Sequence, residues 1–410
     1  MGYLASYLAQ RGYKDVDIHV AAFETDETII DRARLCDVVG FTATSPMMKH
    51  ARELARQIKS VHPQAFIVFG GVHSTVLPQN TLKDPSVDVA VRGEGEETFF
   101  QIVQSVVQRR PLDSIKGISW RDGSGLIRHN RDGALIENID TIPFPARRLM
   151  AQERFLEIGQ QKYGDRGAWV FSSRGCPFRC TYCASHQAWT RLWRARTPAN
   201  IIQEIDGLIH DFKADRINFA DDTFTISRKR VAAFCELLQE KDWPITWGCN
   251  IRVDTVDRDI LETMSRSGCT DVWIGVESGS PTILREIKKG INPDQIKKVF
   301  RWAREVGLKR RAYLMLGAPS ESKETIRETE RLVEEIQPDV LAFSILTPYP
   351  GCEDYERALA LGYVNEDNDW SGVDLFQGDG AMMDTRYLTR EELEEEHRRL
   401  SVKFKELQKK

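Results

Sequence analysis

The chain has 410 residues, of which 41% are hydrophobic and 29% are charged, a composition that fits a folded protein of about two or three domains. The formal net charge is -4, so the overall charge gives no general attraction to nucleic acid or to an anionic membrane surface. No apolar run of about 18 residues exists to span a bilayer, and no basic region marks a signal peptide, so we expect a cytoplasmic enzyme with a small-molecule or carrier-bound substrate.

Residues 1–115 alternate between helical and strand patterns. The predicted helices cover residues 3–11, 27–35, 47–61 and 94–107, and the predicted strands cover residues 17–23, 38–42, 66–69 and 88–91. Helices and strands that take turns imply a parallel, doubly wound, Rossmann-like sheet of the α/β class. Ligands of such sheets bind beyond the carboxyl ends of the strands, where this chain carries small, glycine-rich loops at residues 42–46, 70–75 and 92–96.

A connector follows at residues 116–164. Residues 117–120 and 126–128 flank the sequence Asp-Gly-Ser-Gly at 122–125, which predicts a hairpin. The two prolines in residues 142–146 fix their own backbone and restrain the residues before them, so we expect a rigid linker and a domain boundary here.

Cys176, Cys180 and Cys183 form a C-x3-C-x2-C pattern directly after the apolar run at 169–171, which predicts a buried strand. Three thiolates on one loop can bind a single metal centre, but a closed zinc or ferredoxin-type site needs four protein ligands. We therefore interpret the loop as the ligand set of an iron-sulfur cluster with one open coordination position. The alternatives are a zinc knuckle completed by His186 and a disulfide, although a chain without a secretory segment rarely carries disulfides.

From residue 165 to residue 351 the alternation of strands and helices resumes. The predicted strands cover residues 169–172, 216–220, 245–250, 271–276, 311–316 and 340–345, and the helices between them cover residues 199–210, 228–239, 258–267, 294–306 and 323–336. Six such units fit a partial (β/α)6 barrel, whose chemistry lies at the carboxyl ends of the strands. Residues 352–410 form a cap, in which we expect residues 365–384 to close over the substrate and residues 389–410 to form a charged helix on the outside of the barrel.

With Tyr182 before its last cysteine, the cysteine loop resembles the signature of the radical S-adenosylmethionine (SAM) superfamily. The resemblance implies that the three cysteines ligate three irons of a 4Fe-4S cluster and that the amino and carboxylate groups of SAM chelate the fourth. It also implies reductive cleavage of SAM to a 5′-deoxyadenosyl radical that abstracts hydrogen from the substrate, with a flavodoxin or a ferredoxin as the electron donor.

The resemblance and the strand ends together indicate the contacts of SAM. Asp221 and Asp222 suit an ammonium or sulfonium partner, and the alternative is that Asp222 or Thr223 caps a helix. Arg252 suits a carboxylate, and the alternative is a structural pair with Asp254. Residues 288–290 are interpreted as the charged end of a helix. The complete expected set is Tyr182, Asp221, Asp222, Arg252, Glu277, Ser278, Gly317 and Pro348, and no residue is assigned as catalytic.

The loops of the N-terminal domain resemble those of the cobalamin-binding domain that precedes the radical domain in one branch of the superfamily. The resemblance implies that cobalamin is lined by Thr42, Ser45, Gly70 and Gly71. No D-x-H-x-x-G stretch is present, so no histidine ligand to cobalt is expected, and His73 is interpreted as a solvated or hydrogen-bonded loop residue. The chain opens on its first helix, where the family has a preceding strand, so either the chain is truncated at its start or the domain is a vestige without cobalamin.

Two enzymatic outcomes and one non-catalytic alternative follow. If cobalamin binds, the expected reaction is cobalamin-dependent C-methylation of the substrate radical. If it does not, the radical is expected to undergo dehydration, rearrangement or cyclisation. The alternative from another class is a zinc-binding or nucleic-acid-binding module built on the three cysteines. The acidic net charge of the chain argues against binding of nucleic acid.

Overall fold

The computed structural model describes residues 1–373 and 380–407, which form two main sheets flanked by helices and one short hairpin. The strands are β1 Val38–Thr42, β2 Phe66–Gly70, β3 Val89–Val91, β4 Ile118–Arg121, β5 Ile127–His129, β6 Gly167–Val170, β7 Ser173–Arg174, β8 Arg194–Ala195, β9 Arg216–Phe219, β10 Thr246–Ile251, β11 Cys269–Glu277, β12 Lys309–Leu316 and β13 Val340–Ile345. The helices are α1 Gly2–Gln10, α2 Asp26–Ala33, α3 Met48–Val61, α4 Val72–Val76, α5 Pro78–Leu82, α6 Glu96–Gln108, α7 Gln152–Tyr163, α8 Ser185–Trp189, α9 Pro198–Phe212, α10 Arg228–Lys241, α11 Arg258–Arg266, α12 Pro281–Glu286, α13 Pro293–Glu305, α14 Lys323–Ile336, α15 Glu353–Ala360 and α16 Arg390–Leu407. Within the described ranges, none of these helices combines the length and apolarity that crossing a bilayer requires.

The first sheet has the strand order β1-β2-β3-β4-β5, with the first three strands parallel and the last two antiparallel. Helix α3 packs on one face, where its Ala55 and Ile58 join Ile67 and Phe69 of β2 in a buried cluster. This confirms the predicted Rossmann-like arrangement of residues 38–107. The predicted hairpin forms as β4 and β5, and it extends this sheet because β4 pairs with β3.

The strand predicted at residues 17–23 does not form, because residues 13–20 are irregular and residues 21–24 make turns. A strand is stable only where a neighbouring strand shares its backbone hydrogen bonds. Among the described residues, β1 pairs with β2 alone, and residues 17–23 do not occupy its other edge. The segment is held instead by local bonds, such as the one of 2.6 Å between His19 and Glu24.

The second sheet is the predicted partial barrel, with six parallel strands in the order β13-β12-β11-β10-β9-β6. Successive side chains of a strand point to opposite faces. One face packs against the surrounding helices and supplies Ile217, Val272 and Ala312 to the main core. The other face lines the lumen of the barrel and leads to the carboxyl ends of the strands.

Helix α16 packs against β13 on the outside of the barrel, as predicted for the charged C-terminal helix. The rings of Phe343 and Phe404 stack with their centroids 5.8 Å apart, and the imidazole Nε2 of His397 lies 3.1 Å from the carbonyl oxygen of Phe343. Residues 408–410 of the predicted helix lie outside the described residues. So do residues 374–379 of the predicted lid at 365–384, and the lid stays a prediction.

A buried ion-pair network joins the loop after the first sheet to the short hairpin of β7 and β8. Glu94, which follows β3, lies 2.8 Å from both Arg174 and Arg194, and Glu96 lies 2.6 Å from Arg174. All four side chains are buried. Burial alone would raise the pKa of Glu94, but the hydrogen bonds from Arg194 and Arg174 outweigh it, and the pKa is lowered overall. The network therefore requires an ionised Glu94.

We expect the substitution Glu94→Gln to lower the free energy of unfolding by about 3–5 kcal/mol, because it leaves two buried guanidinium groups short of their counter-charge. The midpoint of urea unfolding at neutral pH measures the loss. Because the folded pKa of Glu94 is lowered, its stabilisation is present above the ordinary carboxyl value of about 4.3 and is lost as the pH falls through the folded pKa. The matched control is Glu262→Gln, which removes an exposed pair with Arg258 and should change the midpoint little. Equal midpoints for the two variants would contradict the structural importance of the network.

Candidate active site

A cavity of about 290 Å³ opens at the carboxyl ends of the barrel strands. The cysteine loop after β7 forms one wall, and the ends of β10 and β11 form another. The residues predicted from the sequence that line this cavity are Cys176, Cys180, Tyr182, Cys183, Asp222, Arg252 and Glu277. The lining residues that the sequence did not indicate include Asn250, Trp273, Lys289 and Tyr313.

The cysteine loop depends on a glycine at its first turn. Gly175 has a φ of 86°, and a Cβ atom at this position would lie 2.3 Å from the carbonyl oxygen of Leu192. Only glycine adopts this backbone conformation at low cost, and only glycine fits against the Leu192 backbone. The turn directs Cys176 toward the cavity that Cys180 and Cys183 also line.

Hydrogen-bond donors are directed at the cysteine sulfurs. The backbone N–H of Phe178 donates to Cys176. The Nη1 atom of Arg252 lies 3.7 Å from the Sγ of Cys180. Donors of this kind stabilise a thiolate, which is the form of cysteine that binds metal.

The donor set fits a cluster rather than the alternatives. All eight cysteines are free thiols, so the loop holds no disulfide. Among the described residues, no three His, Cys, Asp or Glu side chains are grouped closely enough to hold a single metal ion, the loop cysteines included, and His186 lines the cavity with them. Three thiols on one loop, facing one cavity, fit a 4Fe-4S cluster that takes its fourth ligand from elsewhere.

Burial protects the thiols from ionisation until a metal binds. It raises the pKa of Cys176, and it raises the pKa of Cys183 to about 11. Metal ligation requires the deprotonated thiolate, so loading of the loop must release protons. Metal binding by the loop therefore depends on pH and becomes more favourable as the pH rises.

A triad of hydrogen-bonded side chains lines the cavity, with Tyr182 from the cysteine loop half-buried and Glu277 and Lys289 buried. The ammonium of Lys289 donates to Glu277 Oε1 at 2.7 Å and to the Tyr182 hydroxyl oxygen at 3.1 Å, and the Tyr182 O–H donates to the same Glu277 oxygen at 3.0 Å. Burial, followed by the charge of Glu277, raises the pKa of Tyr182 well above its ordinary value. The tyrosine therefore stays a neutral donor, and the second carboxylate oxygen of Glu277 is left for other partners.

The backbone at the end of β11 is shaped to bring this triad together. Glu277 has a φ of 62°, in the left-handed region that non-glycine residues rarely adopt, and the register with β12 shifts between Gly275 and Glu277. A Cβ atom on Gly275 would lie 2.5 Å from Glu277 Oε1 and 2.7 Å from Lys289 Nζ. Strained backbone of this kind concentrates at functional sites.

The sequence interpretation of residues 288–290 is wrong for Lys289. Lys288 is exposed and pairs with Glu353, as expected for the charged end of a helix. Lys289 is buried on Glu277 instead. Two adjacent lysines look alike in a sequence, and only the packing of the barrel distinguishes the buried one.

The structural alternative for Arg252 is formed. Its guanidinium makes two bonds of 3.0 Å to Asp254 and one of 2.6 Å to the carbonyl oxygen of Lys289, and it lies over the Phe178 ring at 3.6 Å. Burial alone would lower the pKa of Arg252, but its hydrogen bonds to Asp254 and the charge of that carboxylate raise it overall. The fixed cation still lines the cavity beside the cysteines.

The two adjacent acids have different places. Asp221 is buried away from the cavity, where it accepts a hydrogen bond of 2.6 Å from the backbone N–H of Ser172 and one from the hydroxyl of Ser173. Asp222 lines the cavity and accepts a bond from Ser185, and burial raises its pKa. Asp222 does not cap a helix, because the turn after it begins at Thr223 without a side-chain cap.

Three further predicted contacts of SAM do not line this cavity. The hydroxyl of Ser278 is buried at 3.1 Å from that of Thr329. Gly317 lies against Ile345 and Leu393, and its φ of 96° explains why glycine is needed there. Pro348 is buried in the loop after β13. The sequence showed that these residues follow strands, but it did not show which way each loop turns.

A second cavity, of about 450 Å³, lies between the first sheet and the barrel. Of the predicted cobalamin contacts, Thr42, Gly70 and Gly71 line it, and Phe171 and Arg174 contribute from the barrel side. The small side chains and glycines at the strand ends leave room for a bulky ligand close to the backbone. The residues present thus fit a large ligand, with apolar walls on both sides.

Ser45 does not line this cavity, because its hydroxyl lies 3.0 Å from the Nδ1 of His73. His73 is buried and also lies 3.3 Å from Asn80. Burial lowers the pKa of His73 to about 4, so the ring is neutral at physiological pH. The histidine is hydrogen-bonded, as expected, but it lies in helix α4 rather than in an open loop.

Comparison with known proteins identifies two families in the chain. Residues 170–333 match the Radical SAM superfamily, and residues 1–103 match the B12 binding domain. The chain is 33% identical over 366 residues to an uncharacterized methyltransferase of Pyrococcus horikoshii, which covers 88% of this chain and 78% of that protein. It is 31% identical over 362 residues to the anaerobic magnesium-protoporphyrin IX monomethyl ester cyclase of Rubrivivax gelatinosus, which covers 85% of this chain and 64% of the cyclase.

The fold also resembles a solved structure of TsrM, a radical S-adenosylmethionine methyltransferase from Kitasatospora setae. The TM-score is 0.74 at 17% identity, over 88% of this chain and 73% of that chain. The matched families imply a 4Fe-4S cluster and SAM as cofactors, and the B12 binding domain supports cobalamin as a third. These matches confirm the resemblance drawn from the cysteine loop and from the N-terminal loops. The chain therefore belongs to the radical SAM superfamily of enzymes, in the branch whose members carry an N-terminal B12 binding domain.

Proposed function

We propose that the protein cleaves SAM reductively at a 4Fe-4S cluster held by Cys176, Cys180 and Cys183 and uses the radical to methylate a carbon atom of its substrate. The observation that carries the proposal is the meeting of three free thiols and the Tyr182, Glu277 and Lys289 triad in one cavity. The second cavity, lined by the B12 binding domain and by the barrel, supplies the place from which a methyl group would come.

When bound, the cluster supplies an electron, SAM supplies the 5′-deoxyadenosyl group and cobalamin supplies the methyl group. The residues of the chain bind and orient these groups. We assign the free oxygen of Glu277 to the ribose hydroxyls of SAM, because a carboxylate only accepts hydrogen bonds. Lys289 and Tyr182 hold that carboxylate in place.

We assign Asp222 to the ammonium group of SAM. Its carboxylate lines the cavity, and its charge acts on the neighbouring Cys176 and Cys183. Burial of the Asp222 carboxylate disfavours its charged form and so raises its pKa, and a nearby ammonium group would favour the charged form again. We assign Arg252 to the sulfur side of the cluster, because its remaining hydrogen-bonding capacity points at Cys180.

A second candidate function is radical cyclisation without methyl transfer. The cyclase of Rubrivivax gelatinosus is 31% identical over 362 residues, nearly as similar as the methyltransferase of Pyrococcus horikoshii. The two outcomes differ in whether the product gains a carbon atom. Occupancy of the second cavity by cobalamin, together with the mass of the product, separates them.

We further propose that a small acidic protein such as a flavodoxin or a ferredoxin delivers the electron in the cytoplasm. Arg179 lies between Cys176 and Cys180 on the cluster loop and is exposed. An exposed cation beside the cluster would favour docking of a negatively charged donor.

The first prediction concerns SAM cleavage. The anaerobically reconstituted protein should release 5′-deoxyadenosine from SAM under dithionite, and Cys180→Ala should reduce the product to background because the cluster loses one of its three protein ligands. Chromatography of the quenched mixture measures the product. The control is Cys36→Ser, which changes a half-exposed thiol far from the loop and should keep full cleavage. Cleavage that survives in Cys180→Ala would refute the proposed ligand set.

The second prediction concerns the triad. Gly275→Ala should raise the KM for SAM about tenfold or more, because the added methyl group displaces Glu277 and Lys289. The iron content should stay unchanged, since the cysteine loop is not touched. The control is Gly207→Ala, where a Cβ atom meets nothing within 4 Å. An unchanged KM in Gly275→Ala would remove Glu277 from the proposed SAM contacts.

The third prediction concerns cobalamin. The purified protein should retain hydroxocobalamin through gel filtration, and Gly70→Phe should abolish retention by filling the cavity. A Cβ atom at Gly70 has no neighbour nearer than 3.9 Å, so the larger side chain can enter without straining the backbone. The control is Gly207→Phe in helix α9, which also has open space. Absence of retention in the unsubstituted protein would favour cyclisation over methyl transfer.

A further inference from the structure

The lumen of the barrel carries an exposed aromatic wall. Trp169 in β6 is 54% exposed, and Phe171 just after this strand is 43% exposed. The residues between and beside them, Ala168 and Val170, are fully buried on the opposite face. By the two-residue period of a strand, Trp169 and Phe171 therefore share the lumen face. Large aromatic side chains left open to solvent in this way mark a binding surface more often than a core.

Trp169 meets a second tryptophan across the lumen. The ring centroids of Trp169 and Trp273 are 5.5 Å apart with an angle of 44° between the planes. Gly248 of β10 lies between their strands, and a Cβ atom there would lie 2.8 Å from Arg216 and 3.0 Å from Asp271. The Arg216 guanidinium and the Asp271 carboxylate fill the space in front of Gly248, so only glycine fits at this position beneath the two rings.

The orientation of Trp273 is fixed by a hydrogen bond from its indole ring. Its indole N–H donates to the carboxylate of Asp271, which also accepts from the guanidinium of Arg216. The charges of Asp271 and Arg216 are thereby satisfied within the floor of the lumen. Trp273 is itself buried, at 7% exposure, and it holds the exposed ring of Trp169 in a fixed position for stacking with a planar group.

One cation in the lumen is unsatisfied. Arg310 and Ala312 of β12 face outward, since Arg310 bonds to Asp339 at 2.8 Å and Ala312 belongs to the main core. Arg311 therefore lies on the lumen face with Tyr313. Within the described part of the chain, Arg311 has no hydrogen-bond or ion-pair partner. Its neighbour in the sheet is Trp273, which is paired with it in register.

This surface adjoins both cavities. Trp273 and Tyr313 also line the cavity that holds the cysteines, and Phe171 also lines the cavity of the B12 binding domain. A molecule lying on the tryptophans would therefore sit next to the site of radical formation and next to the proposed source of the methyl group.

We infer that the substrate is a molecule with a planar, unsaturated part and an acidic group, bound with its plane against Trp169 and Trp273 and its anion on Arg311. This inference rests on the proposed function, because it names the substrate class of that reaction. Stacking supplies affinity for the planar part. Arg311 supplies a bidentate, charge-assisted contact for a carboxylate or a phosphate.

The test uses the anaerobically reconstituted full chain and two probes that differ only in charge, 2-naphthoate and its neutral amide 2-naphthamide. Isothermal titration calorimetry should detect naphthoate binding with a Kd below about 1 mM and naphthamide binding about tenfold more weakly. Arg311→Gln should remove the preference for the anion, and Arg311→Lys should restore part of it. Trp169→Leu should weaken both probes equally, because it removes the stacking surface and leaves the charge.

The control is Arg301→Gln, which removes an exposed cation on the outer helix α13 and should leave both affinities unchanged. Circular dichroism and iron content confirm that each variant is folded and loaded. The inference is overturned if naphthoate does not bind, or if Arg311→Gln binds it as tightly as the unsubstituted protein does.

Measurement of 5′-deoxyadenosine in parallel separates this inference from the proposed function. If the protein cleaves SAM but does not bind naphthoate, the substrate class is wrong and the proposed function stands. If naphthoate binds with the expected charge preference but SAM is not cleaved, the lumen site stands and the proposed chemistry falls.

Discussion

All six strands of the barrel run parallel, and this constraint places the chemistry of the protein. Parallel strands end at the same edge of a sheet, so the loops that follow them meet in one place. The cysteine loop, Asp222, Arg252 and Glu277 are far apart in the sequence and come together for this reason alone. The buried helices on the outer face hold the strands in order, and the lumen is left free for ligands.

At the ends of the barrel strands, a few short-range contacts decide which polar side chains face the cavity. The Asp221 carboxylate accepts hydrogen bonds from Ser172 and Ser173 and holds the start of the cysteine loop in place. Asp222, one residue later, is left facing the cavity. The same division separates Lys288 from Lys289. Adjacent residues of a strand end or a turn point in different directions, so one residue of each pair lines the cavity and the other does not.

The sequence predicted most of the fold, because the periods of its strands and helices are clear. The strand at residues 38–42 and the strand at 340–345 form with the predicted bounds. The strand at 17–23 failed because its alternation says nothing about whether a partner strand is present. The cysteines were identifiable from spacing alone. Lys289 and Trp273 were not, because their places depend on a left-handed backbone at Glu277 and on the bond from the Trp273 indole to Asp271, and neither leaves a pattern in the sequence.

Arg174 links the B12 binding domain to the cysteine loop. This guanidinium lines the cavity of the B12 binding domain, bonds to Glu94 and Glu96 of that domain, and stands two residues ahead of Cys176 in the chain. The two cavities are thus connected through one buried, ion-paired side chain. Arg174 touches the second cavity and is two residues from Cys176, so a ligand that displaced this guanidinium would act on the backbone that leads into the cysteine loop.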